Sequence, residues 1–250
     1  MTPEITAAFD AVKARYGAAS LDRVEAMMAP GEDNRAPLQR DTKWILPGIS
    51  QKPWHDPYEH PEIATVVRAF EGAHKEIKDE LTAAWTQRGE VFSPYQHYLM
   101  QKQDWRALYL YRDAALVPEA EAVTPAAFRV LNEHAVRTGL VCPLLESHFS
   151  TLLPGAEIAP HCDLWNFSIN LHVAIDIPDG CAIDVAGEIR NWEEGHCLLF
   201  DYSFRHSAWN HGDRPRTCLL VDLWHPETTV PEREALTVLI TEIRALFGDG

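Results

Sequence analysis

Three side chains of this sequence have the types and spacing of a metal site: His161, Asp163 two residues later, and the distant His206. Mononuclear Fe(II) oxygenases hold iron through two histidines and one carboxylate on one face of the metal, which leaves the other positions open for reactants. Residues i and i+2 of a β-strand point the same way, so an H-x-D pair on a strand supplies two ligands. A second strand must then bring the third ligand alongside.

The pattern of a histidine followed two residues later by an acid is weak alone, because it occurs five times among 12 histidines and 37 acidic residues. The four other matches begin at His60, His74, His211 and His225. The match at His74 lies on a predicted helix, where residues i and i+2 diverge. The matches at His60 and His225 contain a proline, and the match at His211 flanks a glycine in a turn. Only His161 and Asp163 open a predicted strand directly after a turn sequence, Pro154-Gly155. The alternative is a surface histidine beside an aspartate that caps a turn.

Two further residues fit an oxygenase site, although each also has a simpler interpretation. His206 follows Asp163 after 42 intervening residues, a gap that holds about four short strands and can wrap around a small barrel. A histidine at a strand edge is the alternative. Arg216 opens the apolar strand Arg216–Trp224, where a buried guanidinium could bind the distal carboxylate of 2-oxoglutarate. An edge arginine that reaches solvent is the alternative there.

The hydrophobic pattern predicts helices near both ends of the chain and β-strands between them. Apolar residues at three- and four-residue steps predict helices over residues 3–28, 62–88 and about 231–247. The second and third end at glycines, Gly89 and Gly248. The clearest strand is Trp165–Ile177, in which apolar and polar residues alternate. Turn sequences separate shorter strands, predicted around 181–185, 188–192, 196–201, 205–210 and 215–224.

Many short strands at close spacing favour a sandwich, a jelly roll or a barrel. A chain of 250 residues, of which 46% are hydrophobic, can bury one sizeable core. We expect a single domain over residues 1–250. A mostly helical part, 1–90, would pack on a β-core, 91–228, and a helix would occupy 229–250.

Composition argues against several classes of partner and location. The net charge of −15 repels phosphate backbones and anionic membranes, so we expect neither nucleic acid nor a membrane as a partner. The five cysteines are odd in number and none forms a C-x-x-C pair, which argues against a disulfide framework and a thiolate zinc site. We recognise no signal peptide and no apolar stretch long enough to span a membrane, so a cytoplasmic location is expected.

The stretch 147–227 resembles the catalytic core of the aspartyl/asparaginyl β-hydroxylases. Three pieces in the same order are highly specific together: W-E-E-G, F-D-x-S-F-x-H and V-D-x-W-H-P. The similarity covers roughly residues 95–230. The matching pieces are Ser150 with Leu153-Pro154-Gly155, Pro160-His161, Leu171-His172-Val173, Asn191 to Gly195, Phe200 to His206, Trp209 and Val221 to Glu227, with Gln103-Asp104-Trp105 and Cys142-Pro143 upstream.

This resemblance implies a mainly β fold with flanking helices, the double-stranded β-helix or cupin-like jelly roll. It also implies Fe(II), 2-oxoglutarate and O2 as cofactor and co-substrates. His161 and His206 would bind iron, and 2-oxoglutarate contacts would come from Ser150, His172 and Arg216. Some family members have glycine two residues after the first histidine, whereas this chain has Asp163, so a full triad of ligands is expected.

A second departure concerns the substrate. Family enzymes that act on Asp or Asn in protein domains carry arginines at the positions of Ser168 and Asn170, which puts protein aspartyl hydroxylation in doubt. Asn170 is nevertheless a candidate co-substrate contact. Arg112, Trp165 and Trp209 are candidate substrate contacts, and their alternatives are a solvated strand end for the arginine and plain core packing for the tryptophans.

The activity that these residues predict is hydroxylation of an unactivated C–H bond, with release of succinate and CO2. The substrate would be a small molecule, an amino acid or a peptide. One alternative keeps the same cofactors but gives desaturation, cyclisation or epimerisation in natural-product biosynthesis. Others are a non-catalytic barrel that binds a ligand and a zinc- or manganese-dependent isomerase. The sequence predicts no oligomeric state.

Overall fold

The structure, a computed structural model, describes residues 1–29, 35–87, 93–94 and 105–247. The strands within these ranges are β1 (Trp54–His55), β2 (Ser93–Pro94), β3 (Trp105–Arg112), β4 (Ala115–Leu116), β5 (Ser147–Leu152), β6 (Glu157–His161), β7 (Ser168–Asp176), β8 (Cys181–Val185), β9 (Glu188–Arg190), β10 (Cys197–Phe200), β11 (His206–Asn210) and β12 (Arg216–Trp224). The α-helices are α1 (Pro3–Tyr16), α2 (Asp22–Met28), α3 (Pro61–Gln87), α4 (Pro118–Glu121), α5 (Pro125–Leu131) and α6 (Val230–Phe247). None of these described helices has both the length and the apolar character needed to cross a bilayer.

The strands form two antiparallel sheets whose neighbours are mostly distant in sequence. The larger sheet has the order β1-β10-β7-β12-β5-β3-β2, with β4 beside β3. The smaller sheet has the order β6-β11-β8-β9. Because the chain crosses repeatedly between the two sheets from β5 to β12, residues from remote parts of the chain come to face one another. This arrangement confirms the predicted double-stranded β-helix, mainly β with flanking helices.

Strand β7 packs in the hydrophobic core with one face and lines the space between the two sheets with the other. Its odd-numbered residues, such as Leu171 and Val173, pack against Phe70 of α3 in an apolar cluster outside the larger sheet. Its even-numbered residues, such as Asn170 and His172, face the space between the two sheets. Both faces are therefore buried, and the polar residues of the inner face are available for binding.

The flanking helices cover the larger sheet and one end of the barrel. Helices α3 and α5 pack on the outer face of the larger sheet. Helices α1, α2 and α6 contribute to a separate cluster with Trp165, Phe167 and Trp224. A third cluster fills the space between the two sheets, where Leu152 and Cys218 of the larger sheet lie with Ile183 of the smaller one.

The structure corrects two of the predicted elements and adds detail to two predicted segments. Residues 3–28 are not one helix, because Gly17 adopts a φ of +102° and its N–H donates to Lys13 O, which ends α1. The strand predicted at Trp165–Ile177 is limited to Ser168–Asp176. The segment 91–228 is not all β, since α4 and α5 each begin at a proline, and strand β1 lies in the mostly helical part. The predicted helix ends Gly89 and Gly248, and Gln103-Asp104, lie outside the described residues.

Two buried histidines are expected to make the fold sensitive to acid. The rings of His55 and His225 meet edge to face, with centroids 5.2 Å apart. Burial, the largest cause for both, lowers the pKa of His55 to about 4 and that of His225 to about 3. An unfolded chain protonates these rings below a pH of about 6.5, whereas the folded chain holds them neutral. Their contribution to the free energy of unfolding therefore decreases as the pH falls from about 6.5 towards 4.

At pH 5, each of these two buried neutral rings should lower the free energy of unfolding by about 2 kcal/mol. His55→Leu removes one of them, so the variant should gain about 2 kcal/mol relative to the wild type between pH 7 and pH 5. Urea unfolding of both proteins at the two pH values measures this change. An equal difference at both pH values would contradict the assignment.

Candidate functional site

The two candidate histidines lie side by side on paired strands of the smaller sheet. His161 ends β6 and His206 begins β11, and the two are register partners. Asp163 follows β6, and its backbone N–H donates to Tyr202 O at 2.9 Å. One ligand atom from each of His161, Asp163 and His206 lies within 4.8 Å of the others. In the described part of the chain, this is the one group of three or more such residues with a geometry that could hold a metal ion.

Backbone carbonyls orient both imidazoles towards the same point. Nδ1 of His161 lies 2.9 Å from Ala159 O, and Nδ1 of His206 lies 2.9 Å from Phe204 O. A carbonyl only accepts, so each Nδ1 carries the proton and each Nε2 presents a lone pair. The Nε2 atoms of His161 and His206 lie 4.0 and 3.5 Å from Asp163 Oδ2. Histidines that bind metals have this same second hydrogen bond.

The charge states of these groups also suit a cation. Burial lowers the pKa of His206 to about 4, which keeps the ring neutral and able to bind a metal. Burial raises the pKa of Asp163 to about 6, and His161 acts in the opposite direction. The Asp163 side chain is nevertheless 44% exposed towards the space between the sheets, so a ligand can reach its oxygens. A bound cation would offset the cost that burial imposes on the carboxylate.

A cavity of about 440 Å³ lies between the two sheets and joins this cluster to the rest of the inner surface. Its lining comes from both sheets, from the loops that connect their strands and from α6. The polar residues that line it are Arg112, Asp113, Glu146, His148, Ser150, His161, Asp163, Asn170, His172, Tyr202, His206, Arg216, Asp222 and Arg244.

Arg216 places a buried positive charge in this cavity. Only 1% of its surface is exposed, and its guanidinium lies over the ring of Trp192 at 4.2 Å. Nη1 is 3.5 Å from Ser150 O, while Nε is buried without a hydrogen-bond partner. Within the described residues no carboxylate lies within ion-pair distance of Arg216. Burying a cation without a nearby anion costs free energy, so an anionic ligand is expected to bind at this position.

Ser150 and His172 add hydrogen-bond donors to the same end of the cavity. Ser150 Oγ accepts from Trp105 Nε1 at 2.8 Å, which leaves its own proton to donate. Nδ1 of His172 accepts from Trp192 Nε1 at 3.3 Å, so the ring proton is on Nε2. Burial, followed by the charge of Arg216, lowers the pKa of His172 well below its usual value. This neutral donor set around a guanidinium matches a carboxylate.

Asn170 lines the cavity but bonds to a residue other than Arg216. Its Nδ2 donates to Asp222 Oδ1 at 2.5 Å, and its Oδ1 is buried without a partner. Burial raises the pKa of Asp222 to about 8, with the bond from Asn170 acting against the rise. Whether Asn170 contacts the co-substrate stays a prediction.

Of the three predicted substrate contacts, one lines the cavity. Arg112 does so, with its Nε 2.8 Å from Glu146 Oε1 and its guanidinium over the ring of Tyr109. Trp165 packs in the cluster beneath the N-terminal helices, where it stacks on Phe167. Trp209 stacks on His211 instead.

The positions of the two tryptophans follow from the strands that carry them. His206 and Ala208 of β11 line the cavity, so Trp209 points to the opposite side. Trp165 lies before the first residue of β7 and donates through Nε1 to Ser168 Oγ at 2.7 Å. Trp165 and Trp209 are therefore absent from the cavity wall, and those two predictions are corrected.

Six polar residues of the cavity wall were missed as candidates: Asp113, Glu146, His148, Tyr202, Asp222 and Arg244. Strand parity could have found two of them, because His148 shares a face of β5 with Ser150, and Asp222 shares a face of β12 with Leu220. Tyr202 lies in the loop before β11, and its hydroxyl is 2.5 Å from Ser168 Oγ. Tyr202 could not have been found in this way, because a loop residue has no strand or helix periodicity in the sequence.

The chain matches the family described as "Aspartyl/Asparaginyl beta-hydroxylase" over residues 71–226. The human aspartyl/asparaginyl β-hydroxylase is 31% identical over 193 residues, which cover 77% of this chain and 25% of that protein. The human aspartate β-hydroxylase domain-containing protein 1 is 31% identical over 234 residues, 89% of this chain and 58% of that protein. A domain-containing protein 2 from Xenopus tropicalis is 31% identical over 221 residues, 82% and 55% of the two chains.

The chain thus spans between a quarter and somewhat more than half of the length of these relatives. The matched region begins within α3 and contains both sheets of the barrel from β3 onwards, together with His161, Asp163, His206 and Arg216. The double-stranded β-helix and this extended match agree: the chain belongs to the aspartyl/asparaginyl β-hydroxylase family.

Proposed function

We propose that this protein is an Fe(II)- and 2-oxoglutarate-dependent dioxygenase that hydroxylates an unactivated C–H bond of a small molecule, an amino acid or a peptide. The observation that carries the proposal is one cavity holding two features together. One is the cluster of His161, Asp163 and His206, and the other is Arg216, a buried cation with no acidic partner among the described residues.

The first feature fits a ferrous ion. Two imidazoles and one carboxylate direct ligand atoms to one point, and a backbone carbonyl accepts a hydrogen bond from each Nδ1. This donor set is the facial triad of non-haem Fe(II) oxygenases and leaves three metal positions free. When bound there, iron would couple the oxidative decarboxylation of 2-oxoglutarate by O2 to hydroxylation of the substrate, with succinate and CO2 as co-products.

The second feature fits a keto acid that bears a second carboxylate. Arg216 can bind the distal carboxylate through its guanidinium, and Ser150 Oγ and His172 Nε2 can donate to the same group. Trp192 holds the plane of Arg216 by stacking and fixes the tautomer of His172 through Nε1. A zinc or manganese isomerase would have no use for a buried cation at this place, so 2-oxoglutarate binding separates the two classes.

The remaining work of the chain is to keep water from the reacting atoms and to orient the substrate. Apolar walls from Ile158 and Ile183 of the smaller sheet and Phe200 and Leu220 of the larger one surround the cluster. Phe200 also meets the ring of His206 edge on, with centroids 5.8 Å apart, which limits rotation of that imidazole. Apolar walls of this kind limit the access of water to the reacting atoms and favour reaction at the bound C–H bond over side reactions.

Succinate formation tests the proposal. The purified chain, given Fe(II), 2-oxoglutarate and O2, should form succinate, and the rate should rise when an accepted substrate from an amino-acid and peptide panel is added. Product mass then separates hydroxylation, which adds one oxygen, from desaturation or cyclisation, which remove hydrogen, and from epimerisation, which leaves the mass unchanged. A barrel that only binds ligands would form no succinate with any of these candidates.

Asp163→Gly is expected to suppress hydroxylation, because it removes the one carboxylate of the triad. We expect Fe(II) affinity to fall by at least about tenfold, the smallest loss that changes around metal ligands usually produce, and hydroxylated product to disappear. Equilibrium dialysis with Fe(II) under argon and product analysis measure the two effects. Unchanged metal affinity and product yield would show that Asp163 does not bind the metal.

A further inference from the structure

The cavity has a second polar end, which neither iron nor 2-oxoglutarate occupies in the function proposed above. Arg216 and Asp222 lie six residues apart on β12, a separation of about 20 Å along an extended strand. 2-Oxoglutarate bound between Arg216 and the metal cluster is much shorter than this distance. The end at Asp222 is therefore left for the substrate.

This end presents oxygen acceptors rather than donors. The carboxylate of Asp222 takes its strongest bond from Asn170 Nδ2 at 2.5 Å, and the Glu146 N–H lies 3.4 Å from its Oδ2. Because Nδ2 of Asn170 faces the carboxylate, the amide turns Oδ1 away from it, and that oxygen is buried without a hydrogen-bond partner in a residue that is only 7% exposed. Two acceptors thus lie together on the cavity wall.

The charges nearby do not neutralise Asp222. No Lys, Arg or His of the described residues lies within ion-pair distance of its carboxylate. Arg112 is engaged by Glu146, and Arg244 donates to Leu144 O at 2.7 Å. Burial raises the pKa of Asp222, and the nearby Asp163 adds to the rise. A cation bound beside Asp222 would favour the ionised carboxylate and offset the cost of its burial, whereas an anion or an apolar group would not.

We propose that the substrate carries a protonated amine, which binds the Asp222 carboxylate and Asn170 Oδ1 at the end of the cavity opposite Arg216. An ammonium group supplies three donors and one positive charge, which satisfies both acceptors and compensates the acid. The substrate class is therefore amines and amino acids with a free ammonium group. This proposal rests on the proposed function in one respect: the reaction is taken to occur at the cluster of His161, Asp163 and His206.

Matched probes test the proposal without turnover. Pentylamine and pentanol have the same chain length and differ in charge, and their binding to the full chain can be measured by ligand-observed NMR without metal or 2-oxoglutarate. Pentylamine should bind at least about tenfold more tightly than pentanol, the gain expected from a charge-assisted hydrogen bond. Binding of the amine that is equal to or weaker than that of the alcohol would overturn the proposal.

Two variants locate the effect. Asp222→Asn keeps the shape but removes the charge, so the amine preference should disappear, whereas Glu188→Gln, an exposed acid on β9, should leave it intact. If Asp222→Asn does not fold, Asn170→Ala must reduce the preference, because it removes the second acceptor and the donor that holds the carboxylate. A preference that survives in the folded variants overturns the assignment. Since no step uses iron, failure here is distinct from failure to form succinate.

Discussion

Replacing His206 with alanine is expected to abolish 2-oxoglutarate turnover and to weaken Fe(II) binding by more than about 100-fold, since even changes behind a metal ligand cost 10- to 100-fold. The imidazole presents Nε2 to the centre of the cluster, with Asp163 Oδ2 at 3.5 Å. Its Nδ1 is bound to Phe204 O. No other described side chain of β11 offers a nitrogen to the same point, so the loss cannot be compensated locally.

His211→Ala is the matched control for this prediction. His211 lies one residue after β11 and carries an imidazole that pairs with Glu157 at 2.7 Å on the outer surface. Its removal should leave succinate formation and Fe(II) affinity unchanged. Metal titration of both variants under argon, followed by succinate assays in air, gives the comparison. Wild-type succinate formation by the His206 variant would refute the ligand assignment.

Arg216→Met is expected to raise the KM for 2-oxoglutarate by about 10- to 100-fold, the loss that follows removal of hydrogen bonds to a charged group. Methionine keeps an unbranched side chain that can stay buried but removes the guanidinium and its charge. Because the wild-type guanidinium is buried without an acidic partner, the variant should also be at least as stable as the wild type when no keto acid is present. A severe loss of stability would instead assign Arg216 a structural role.

A second stacked arginine provides the control. Arg190 lies over the ring of Trp54 at 4.2 Å, the same distance as Arg216 over Trp192, but pairs with Glu188 on the surface. Arg190→Met should leave the KM for 2-oxoglutarate unchanged. Initial rates of succinate formation over a range of 2-oxoglutarate concentrations measure both variants. Equal KM values for both would show that Arg216 does not bind the co-substrate.

The sequence predicted the parts of the site that depend on strand periodicity. Residues i and i+2 share a face, so Asn170 and His172 could be placed on the inner face of β7 before any coordinates existed. His161 and Asp163 were distinguished from four similar pairs because they alone were predicted to open a strand after a turn. In the structure His161 instead ends β6 and Asp163 lies beyond it, so that part of the prediction was wrong. The resemblance to the family then joined them to His206, which periodicity could not do, because pairing of β6 with β11 is a tertiary event.

The errors have a common physical cause. Trp165 and Trp209 were chosen by type and proximity in sequence, whereas strand parity and strand ends decide which side chains enter the cavity. Helices α4 and α5 were missed because short segments that begin at Pro118 and Pro125 give too few turns for a helical period to emerge. Gly17 divides the first helix because its backbone adopts a positive φ, and a hydrophobic pattern contains no dihedral angle.

An anaerobic titration of the full chain with Fe(II) and then with 2-oxoglutarate tests the central claim most directly. A keto acid that chelates ferrous iron produces a visible absorption band, so its appearance reports both ligands in one cavity. We expect the band to appear only when both are present, to saturate at one equivalent of iron, and to be lost in His206→Ala. If the wild-type chain showed no band, or if the His206 variant kept it, iron and the keto acid would not meet where the structure places these residues.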